Sequence, residues 1–477
     1  MKASKSCFIL GVALACAALT LSLAVCAQSQ TVTFLYQFTG EQAIATSLIQ
    51  GTDGNFYGAA GAGAFDEGQI FRMTPSGELT TVYSFCARTN CPDGNTPVPL
   101  MLASDGNFYG ETWGGGAYNL GTIFRMTLDG KITTLYSFCS SSGCGNGLYT
   151  HGVIQASDGN FYGSTPLGGV GNNGILFRIS STGAFKLLYT FCSLAICTDG
   201  SGPGYPPIEA SDGNFYGVTA YGGISDGGVF YRLTPEGAYK VLYNFCNYDV
   251  SCETGNRTGS RPQAVVQDTN GNFLGTTLNG GNINNDGTIF EITPPNQYQV
   301  LHRFDSNNEY PAYGLTLAND GNFYGATEDN GYTGDGTIFE FTPESVYTPL
   351  FTFECCNEGY DPAYGPLFQG TDGSLYGTTL YSAGACCYGT IFSLSNNLSP
   401  LVETAPLAGK VGQSVLILGN NLTGSSSVTF NGVAAKFTVE SDTYIKATVP
   451  TGATTGTVSV VTPSGTLKSN PQFLVTK

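Results

Sequence analysis

Six aromatic residues in glycine-rich segments have the chemistry of a ligand-binding surface. Aromatic rings stack on the apolar faces of sugars or anchor a protein partner. The alternative is that some of these rings only pack the segments in which they lie. The six are Trp113, Tyr118, Tyr221, Tyr332, Tyr381 and Tyr388.

Four carboxylates stand directly before a glycine in comparable segments. They are Glu67, Asp226, Asp286 and Asp335. Carboxylate oxygens are the ligands that Ca²⁺ prefers, so these positions are candidates for a calcium site. Asp before Gly is also a common turn pair, which is the alternative explanation. We expect no cofactor other than this possible calcium ion.

Signals for catalysis are weak. The only two histidines, His151 and His302, lie at non-equivalent places and in no zinc-binding motif, and the GxSxG string of serine hydrolases is absent. A carboxylate pair for glycoside hydrolysis stays open, because spacing along the chain does not report separation in space. The sequence favours a protein without catalysis.

A tandem repeat must position all of these residues. The string DGNFYG begins at Asp53, Asp105, Asp158, Asp212 and Asp320, with degenerate copies at Asn270 and Asp372. Seven copies spaced by 50 to 58 residues indicate a repeat architecture. The recurrence favours a structural role for the motif: Asp-Gly as a hairpin turn and Phe and Tyr as packing residues.

Each repeat holds four short segments rich in β-branched and aromatic residues, which predict four antiparallel strands. In the second repeat they are Pro99–Ala103, Asn107–Trp113, Gly121–Thr127 and Lys131–Phe138. The last repeat lacks a fourth strand, and Thr31–Phe38 matches the missing one. We therefore predict an all-β fold: a seven-bladed β-propeller over residues 31–396, with four-stranded blades, closed by the N-terminal strand.

The composition changes after the last repeat. Residues 399–477 contain no cysteine and no copy of the motif, but several short valine-rich runs at even spacing. This pattern predicts an immunoglobulin-like β-sandwich.

Two family resemblances fit these segments. The repeat unit, ASDGNFYGETWGGGAYNLGTIFRMTLDGKITTLYSF in its second copy, resembles the GloVer (Gloeo/Verruco) tandem repeat of bacterial exported choice-of-anchor proteins. That resemblance implies a propeller and export, and no settled activity. The C-terminal segment, with GQSVLILGNNL and VTFNGVAAKFTVESDTYIKATVP, is similar to IPT/TIG domains, which are spacers or adhesion modules in surface proteins.

Cysteine usage predicts disulfides, since twelve cysteines follow the N-terminal apolar segment. Eight form local pairs after the fourth strand of a repeat: Cys86/Cys91, Cys139/Cys144, Cys192/Cys197 and Cys246/Cys252. The other four, Cys355, Cys356, Cys386 and Cys387, lie in two loops that should emerge on one face, with their pairing open. Zinc is the alternative for these four thiols.

The N-terminus predicts export. Two lysines, an apolar run and small residues before Gln28 are typical of a signal peptide over residues 1–27, with lipidation at Cys26 as the less favoured alternative. The remaining chain has 16 Lys and Arg against 35 Asp and Glu, which argues against nucleic acid as a partner. It has no apolar stretch long enough to span a membrane.

The propeller loops that face away from the Asp-Gly hairpins are where we expect function to lie. We predict a secreted or cell-surface binding or adhesion protein, monomeric, with a glycan or protein partner. The alternatives are a secreted glycoside hydrolase or lyase and a structural component of the cell envelope.

Overall fold

A computed structural model describes residues 30–38, 46–61, 63–140, 142–246, 258–282, 284–304, 309–311, 314–330, 336–353, 361–362, 365–380 and 389–476. Within these ranges the chain is all-β: it contains forty strands and two three-residue 3-10 turns, Ser142–Cys144 and Ala195–Cys197. None of the helical segments in the described part of the chain has the length and apolar character to cross a bilayer.

The repeats fold into seven antiparallel sheets, numbered 1 to 7 along the chain. Sheet 1 contains β2 (Ile49–Gln50), β3 (Phe56–Ala60), β4 (Gln69–Met73) and β5 (Leu79–Ser84). Sheet 2 contains β6 (Asn95–Pro97), β7 (Met101–Leu102), β8 (Phe108–Gly114), β9 (Thr122–Met126) and β10 (Ile132–Ser137). Sheet 3 contains β11 (Val153–Gln155), β12 (Phe161–Thr165), β13 (Ile175–Ile179) and β14 (Phe185–Thr190). Sheet 4 contains β15 (Ile208–Glu209), β16 (Phe215–Thr219), β17 (Val229–Leu233) and β18 (Tyr239–Asn244).

The remaining three sheets repeat the same order of strands. Sheet 5 contains β19 (Ser260–Gln267), β20 (Phe273–Asn279), β21 (Thr288–Thr293) and β22 (Gln297–Arg303). Sheet 6 contains β23 (Glu309–Pro311), β24 (Thr316–Leu317), β25 (Phe323–Asn330), β26 (Thr337–Phe341) and β27 (Tyr347–Thr352). Sheet 7 contains β28 (Phe368–Gln369), β29 (Leu375–Thr378) and β30 (Thr390–Ser395), and its fourth strand is β1 (Thr31–Gln37). The N-terminal strand thus completes the last sheet, as the phase of the repeat predicts.

The repeat motif, Asp-Gly in six sheets and Asn270-Gly271 in sheet 5, forms a hairpin turn in each sheet; in sheets 2 and 6 this turn joins β7 to β8 and β24 to β25. In the second repeat Gly106 has a φ of 79°, which glycine tolerates far better than other residues. The Asp105 carboxylate accepts hydrogen bonds from the backbone and side chain of Asn107 (3.0 and 2.9 Å) and from the Tyr109 hydroxyl (3.0 Å). The motif is therefore a structural clasp in which the aspartate already has its partners.

Tyr and Phe of the motif join consecutive sheets. Tyr109 of sheet 2 stacks on Phe161 of sheet 3, with ring centroids 4.0 Å apart. Tyr376 of sheet 7 packs on Phe56 of sheet 1 with the rings tilted by 40° and their centroids 4.3 Å apart. Seven hydrophobic clusters of buried residues accordingly lie between successive sheets, including one between sheets 7 and 1.

A second set of contacts between sheets comes from the first strand of each repeat. In five sheets its last residue, Gln or Glu, accepts a hydrogen bond of 2.8 to 3.1 Å from a backbone N–H just before the turn of the preceding sheet. The pairs are Gln155–Ser104, Glu209–Ser157, Gln267–Ser211, Gln369–Asn319 and Gln50–Thr371. The last pair again links sheets 1 and 7. Sheets 2 and 6 carry Leu102 and Leu317 at this position.

The C-terminal segment forms two further four-stranded antiparallel sheets and a two-stranded parallel one. The first contains β31 (Glu403–Ala405), β33 (Ser414–Leu418), β36 (Lys436–Val439) and β37 (Tyr444–Thr448). The second contains β34 (Ser427–Phe430), β35 (Val433–Ala434), β38 (Val458–Thr462) and β39 (Gly465–Lys468). The parallel pair is β32 (Ala408–Lys410) with β40 (Leu474–Thr476). Ile417 and Val460, from the two larger sheets, belong to one buried core.

This C-terminal unit docks on the end of the repeat sheets that carries the Asp-Gly turns, here called the hairpin end. Thr443 donates to the Thr52 carbonyl (2.6 Å), and Asn470 donates to the Leu317 carbonyl (2.6 Å). Leu418 packs in the same buried cluster as Leu102. The opposite end of the sheets carries the longer connections.

Candidate functional site

The longer connections form a continuous surface, here called the loop face, at the end opposite the docked C-terminal unit. It consists of the connections between the second and third strands and those that enter the next sheet. Neighbouring connections are hydrogen-bonded, so the surface runs from sheet 1 to sheet 5. The contacts are Asn95 Nδ2–Glu67 Oε2 (2.9 Å), Trp113 Nε1–Thr150 O (2.9 Å), Ser201 Oγ–Asn173 Oδ1 (2.9 Å) and Arg261 N–Gly227 O (3.0 Å).

Disulfides fix three connections of the loop face. The bridges are Cys86–Cys91, Cys139–Cys144 and Cys192–Cys197, three of the predicted local pairs. Cys246 is also disulfide-bonded. Cys252, Cys355, Cys356, Cys386 and Cys387 lie outside the described residues. Because each bridge closes a loop of a few residues, the loop tips are held in one conformation.

The buried carboxylate of Asp199 holds the Cys192–Cys197 loop through hydrogen bonds. Asp199 accepts hydrogen bonds from the Tyr189 hydroxyl (2.6 Å), from the N–H and hydroxyl of Ser193 (2.9 and 2.7 Å) and from the Leu194 N–H (3.2 Å). Burial opposes ionisation, but these hydrogen bonds outweigh it and hold the pKa of Asp199 below its usual value. The loop therefore presents Leu194 and Ile196 from a rigid base.

Exposed apolar side chains concentrate on the loop face. Among the described residues fourteen large hydrophobic side chains are exposed, and nine of them lie there. The nine are Phe65, Tyr118, Tyr149, Leu167, Val170, Leu194, Ile196, Tyr221 and Ile224. Ile196, at the tip of a disulfide loop, is 84% exposed. These nine side chains make the loop face the candidate interaction surface.

The predicted aromatic residues separate into two groups. Tyr118 (51% exposed) and Tyr221 (43%) stand on the loop face, and the Arg261 guanidinium lies 5.1 Å from the Tyr221 ring. Trp113 is half-buried: its indole donates to the Thr150 carbonyl and its ring contacts His151 edge-on. Trp113 therefore packs between sheets 2 and 3. Tyr332, Tyr381 and Tyr388 lie outside the described residues.

The predicted calcium ligands lie in separate sheets and already have protein partners. Glu67 accepts from Asn95, Asp226 accepts from the Gly222 N–H (2.7 Å), and Asp286 accepts from Asn282 (2.7 Å). Asp335 lies outside the described residues. Two cysteine sulfurs approach Glu67, those of Cys86 and Cys91, but they form a disulfide and supply no thiolate to a metal. Calcium binding stays a prediction.

Sequence reasoning missed one carboxylate, Glu111 on β8. Its side chain is fully buried against the segment that enters sheet 3, where Oε2 accepts from the Thr150 hydroxyl and from the Gly152 N–H (2.6 Å). Oε1 has no hydrogen-bond partner among the described residues. Burial raises the pKa of Glu111 to about 8. Aligning the repeats would have found it, because the other six have a residue without charge there: Ala59, Ser164, Val218, Thr276, Ala326 and Thr378.

Burial shifts the pKa of the neighbouring histidine, His151, in the opposite direction. Removal from water lowers the pKa of His151, so its neutral form is favoured beside Trp113 and Tyr205. An uncharged imidazole and a protonated Glu111 make this junction between sheets 2 and 3 electrically neutral near pH 7. The junction is therefore suited to packing.

Comparison with known protein families identifies the repeat region. The sequence profile of a family described as the Gloeobacter/Verrucomicrobia repeat matches residues 23–205 and 204–439. The two matches together span well over half of the chain. A search among curated proteins found no match.

One solved structure among those compared shares the fold at low sequence identity. The extracellular domain of a putative one-component system from Bacteroides thetaiotaomicron is 12% identical, with a TM-score of 0.51 over 94% of this chain and 59% of that one. This chain therefore matches less than two thirds of that protein, and the similarity concerns fold alone. A Bacteroides thetaiotaomicron VPI-5482 protein of unknown function is 14% identical (TM-score 0.40; 77% and 76% of the two chains), and an oligogalacturonate lyase in complex with manganese is 10% identical (TM-score 0.46; 77% and 96%). Similarity at these last two levels supports no functional argument.

Proposed function

We propose that this chain, which belongs to the Gloeobacter/Verrucomicrobia repeat family, is an exported binding protein that holds a protein partner on the loop face of a closed seven-bladed propeller. The observation that carries the proposal is the concentration of nine exposed apolar side chains on that face. Three disulfides within its connections support export, since such bonds persist in oxidising compartments.

Contacts between the last and first sheets support closure of the ring. Sheet 7 takes its fourth strand from the N-terminus, its Tyr376 packs on Phe56, and its Thr371 N–H donates to Gln50. The strand pairing is of the kind that holds the other sheets together internally. The ring contact and the hydrogen bond are of the kinds that join the other sheets to their neighbours. Closure leaves no sheet edge free to pair with another chain.

The C-terminal unit is proposed to be an immunoglobulin-like domain of the IPT/TIG type. Two four-stranded sheets around one core of Val, Ile and Phe side chains support this architecture. Because the unit covers the hairpin end, the loop face remains turned away from it. This placement suits a spacer that leaves the loop face open to a partner.

The chemistry of the loop face favours a protein partner over a glycan. Its most exposed members are aliphatic: Ile196 at 84%, Val170 at 76% and Ile224 at 63%. Sugars are bound by flat aromatic faces together with hydrogen-bonding groups, whereas branched aliphatic side chains suit apolar pockets of another protein. Tyr118 and Tyr221 add two amphipathic rings to the same surface.

Selection from a random peptide library displayed on phage tests the proposal. The intact chain is expected to select peptides with an apolar consensus, and Ile196→Ser and Ile224→Ser are each expected to weaken binding of those peptides at least ten-fold. Val346→Ser is the matched control, because Val346 is 54% exposed but lies in a turn at the hairpin end. Absence of any selected consensus, equal loss in the control, or binding to a glycan array instead would refute a protein-binding loop face.

A further inference from the structure

A cavity of about 240 Å³ lies at the hairpin end, between the first strands of sheets 1 to 4 and the C-terminal unit. Most of its lining is aliphatic, including Ile49, Met101, Ile154, Ile208, Leu418 and Leu474. An apolar cavity of about 150 Å³ is large enough for benzene. The space here therefore suits a compact apolar molecule somewhat larger than benzene.

Five polar side chains interrupt this apolar lining: Gln50, Gln155, Thr404 and two carboxyl groups, Glu209 from sheet 4 and Glu403 from the C-terminal unit. Glu209 has its partners, because the Ser157 N–H and hydroxyl donate to its two oxygens at 2.8 and 2.5 Å. Glu403 differs: its Oε2 atom is buried and has no hydrogen-bond partner among the described residues. A buried carboxyl oxygen without a donor costs folding free energy on the order of 1–3 kcal/mol.

The environment of Glu403 restricts what could satisfy it. Burial raises its pKa to about 7, so both protonation states are accessible near neutrality. A calcium ion needs six to eight oxygen ligands. The lining has five oxygen-bearing side chains, and Gln50, Gln155 and Glu209 already accept hydrogen bonds from backbone N–H groups. An anion would be repelled by Glu403 and Glu209. A single ammonium group on an apolar body matches both the orphan oxygen and the aliphatic walls.

We propose that this cavity binds a small apolar amine, with the ammonium group hydrogen-bonded to Glu403 and the hydrocarbon part among the aliphatic side chains. Residues of the repeat sheets and of the C-terminal unit would then contact one ligand. The site is at the opposite end from the loop face, so the inference is independent of the proposed partner.

Calorimetric titration of the intact chain at pH 8 in phosphate buffer tests this, with benzylamine as the probe and benzyl alcohol as its uncharged counterpart. We expect benzylamine to bind at least ten-fold more tightly than benzyl alcohol, and Glu403→Gln to abolish that preference. Glu209→Gln is the matched control: it removes a negative charge from the same cavity, but glutamine makes the equivalent contact in sheets 1, 3, 5 and 7. It is expected to change benzylamine affinity by less than three-fold.

A second variant tests the cavity without changing any charge. Ile154→Phe extends a lining side chain into the space and is expected to weaken binding of both probes. The proposal is overturned if neither probe binds the intact chain, if the two bind equally, or if Glu403→Gln retains the preference for benzylamine. Equal loss in Glu209→Gln and Glu403→Gln would mean that general charge, and not the orphan carboxyl of Glu403, attracts the amine.

Discussion

Replacing Glu111 with glutamine should change how the stability of this protein depends on pH. Glutamine keeps an acceptor for Thr150 and Gly152 but does not ionise. In the native protein burial raises the pKa of Glu111 to about 8, from an ordinary value of 4.5. Between these two pH values the folded chain holds a proton that the unfolded chain has released.

The sign and size of the effect follow from that difference. Since the folded state binds more protons in this range, the stabilisation is complete below pH 4.5 and is lost as the pH rises through 8. At about 1.4 kcal/mol for each pKa unit, native stability should fall by about 3 kcal/mol between pH 5.5 and 8 through Glu111 alone. Glu111→Gln should not show this loss. The other carboxyls with raised pKa values, Glu209, Glu340 and Glu403, are present in both proteins and cancel in the comparison.

Urea unfolding followed by tryptophan fluorescence is the appropriate assay. Trp113 is the only tryptophan, and its indole donates to the carbonyl of Thr150, the residue whose hydroxyl donates to Glu111. Relative to the native protein, the free energy of unfolding of Glu111→Gln should rise by about 3 kcal/mol from pH 5.5 to pH 8. Glu78→Gln, at an exposed position in a hairpin, controls for loss of a carboxylate as such. A difference between native protein and Glu111→Gln that is constant with pH would refute the assignment of a buried protonated acid.

Two further predictions concern the repeat. In the aspartate clasp, Asp105→Ala should lower the free energy of unfolding by about 1–3 kcal/mol, because it leaves the hydroxyl of the buried Tyr109 without its acceptor. In urea unfolding, the double variant with Tyr109→Phe should lose less stability than the sum of the two single variants. Strict additivity would contradict the clasp. For ring closure, Tyr376→Ala and Tyr162→Ala should each lower the free energy of unfolding by about 3–5 kcal/mol, because Tyr376 packs between sheets 7 and 1 as Tyr162 does between sheets 3 and 4. A much smaller loss for Tyr376→Ala in urea unfolding would indicate an open array.

The strands and their pairing were readable from sequence, whereas the contacts that decide function were not. Asp-Gly turns and aromatic periodicity placed the four strands of the second repeat within one or two residues of β7 to β10, because a positive φ and a two-residue alternation are local requirements. The half-buried position of Trp113 depends on its contact with the segment that enters sheet 3, whereas Tyr118 in the same connection is exposed. Both residues occupy glycine-rich segments, so their local sequence does not distinguish a ligand platform from a packing contact.

Positions at which one or two repeats differ from the others point to the asymmetric features of this protein. The glutamine contact between sheets is replaced by leucine only at Leu102 and Leu317, and both positions adjoin the C-terminal unit: Leu102 packs with Leu418, and the Leu317 carbonyl accepts from Asn470. At Leu102 the change exchanges a polar contact for an apolar one where the C-terminal unit supplies apolar side chains. Glu209 and Glu111 are likewise single acidic residues at positions that hold uncharged residues in the other six repeats. Seven equivalent residues serve a symmetric scaffold, so a residue that differs in one or two repeats must be explained by a neighbour that the other repeats lack. Here these neighbours are the C-terminal unit, the hairpin-end cavity and the junction beneath the loop face.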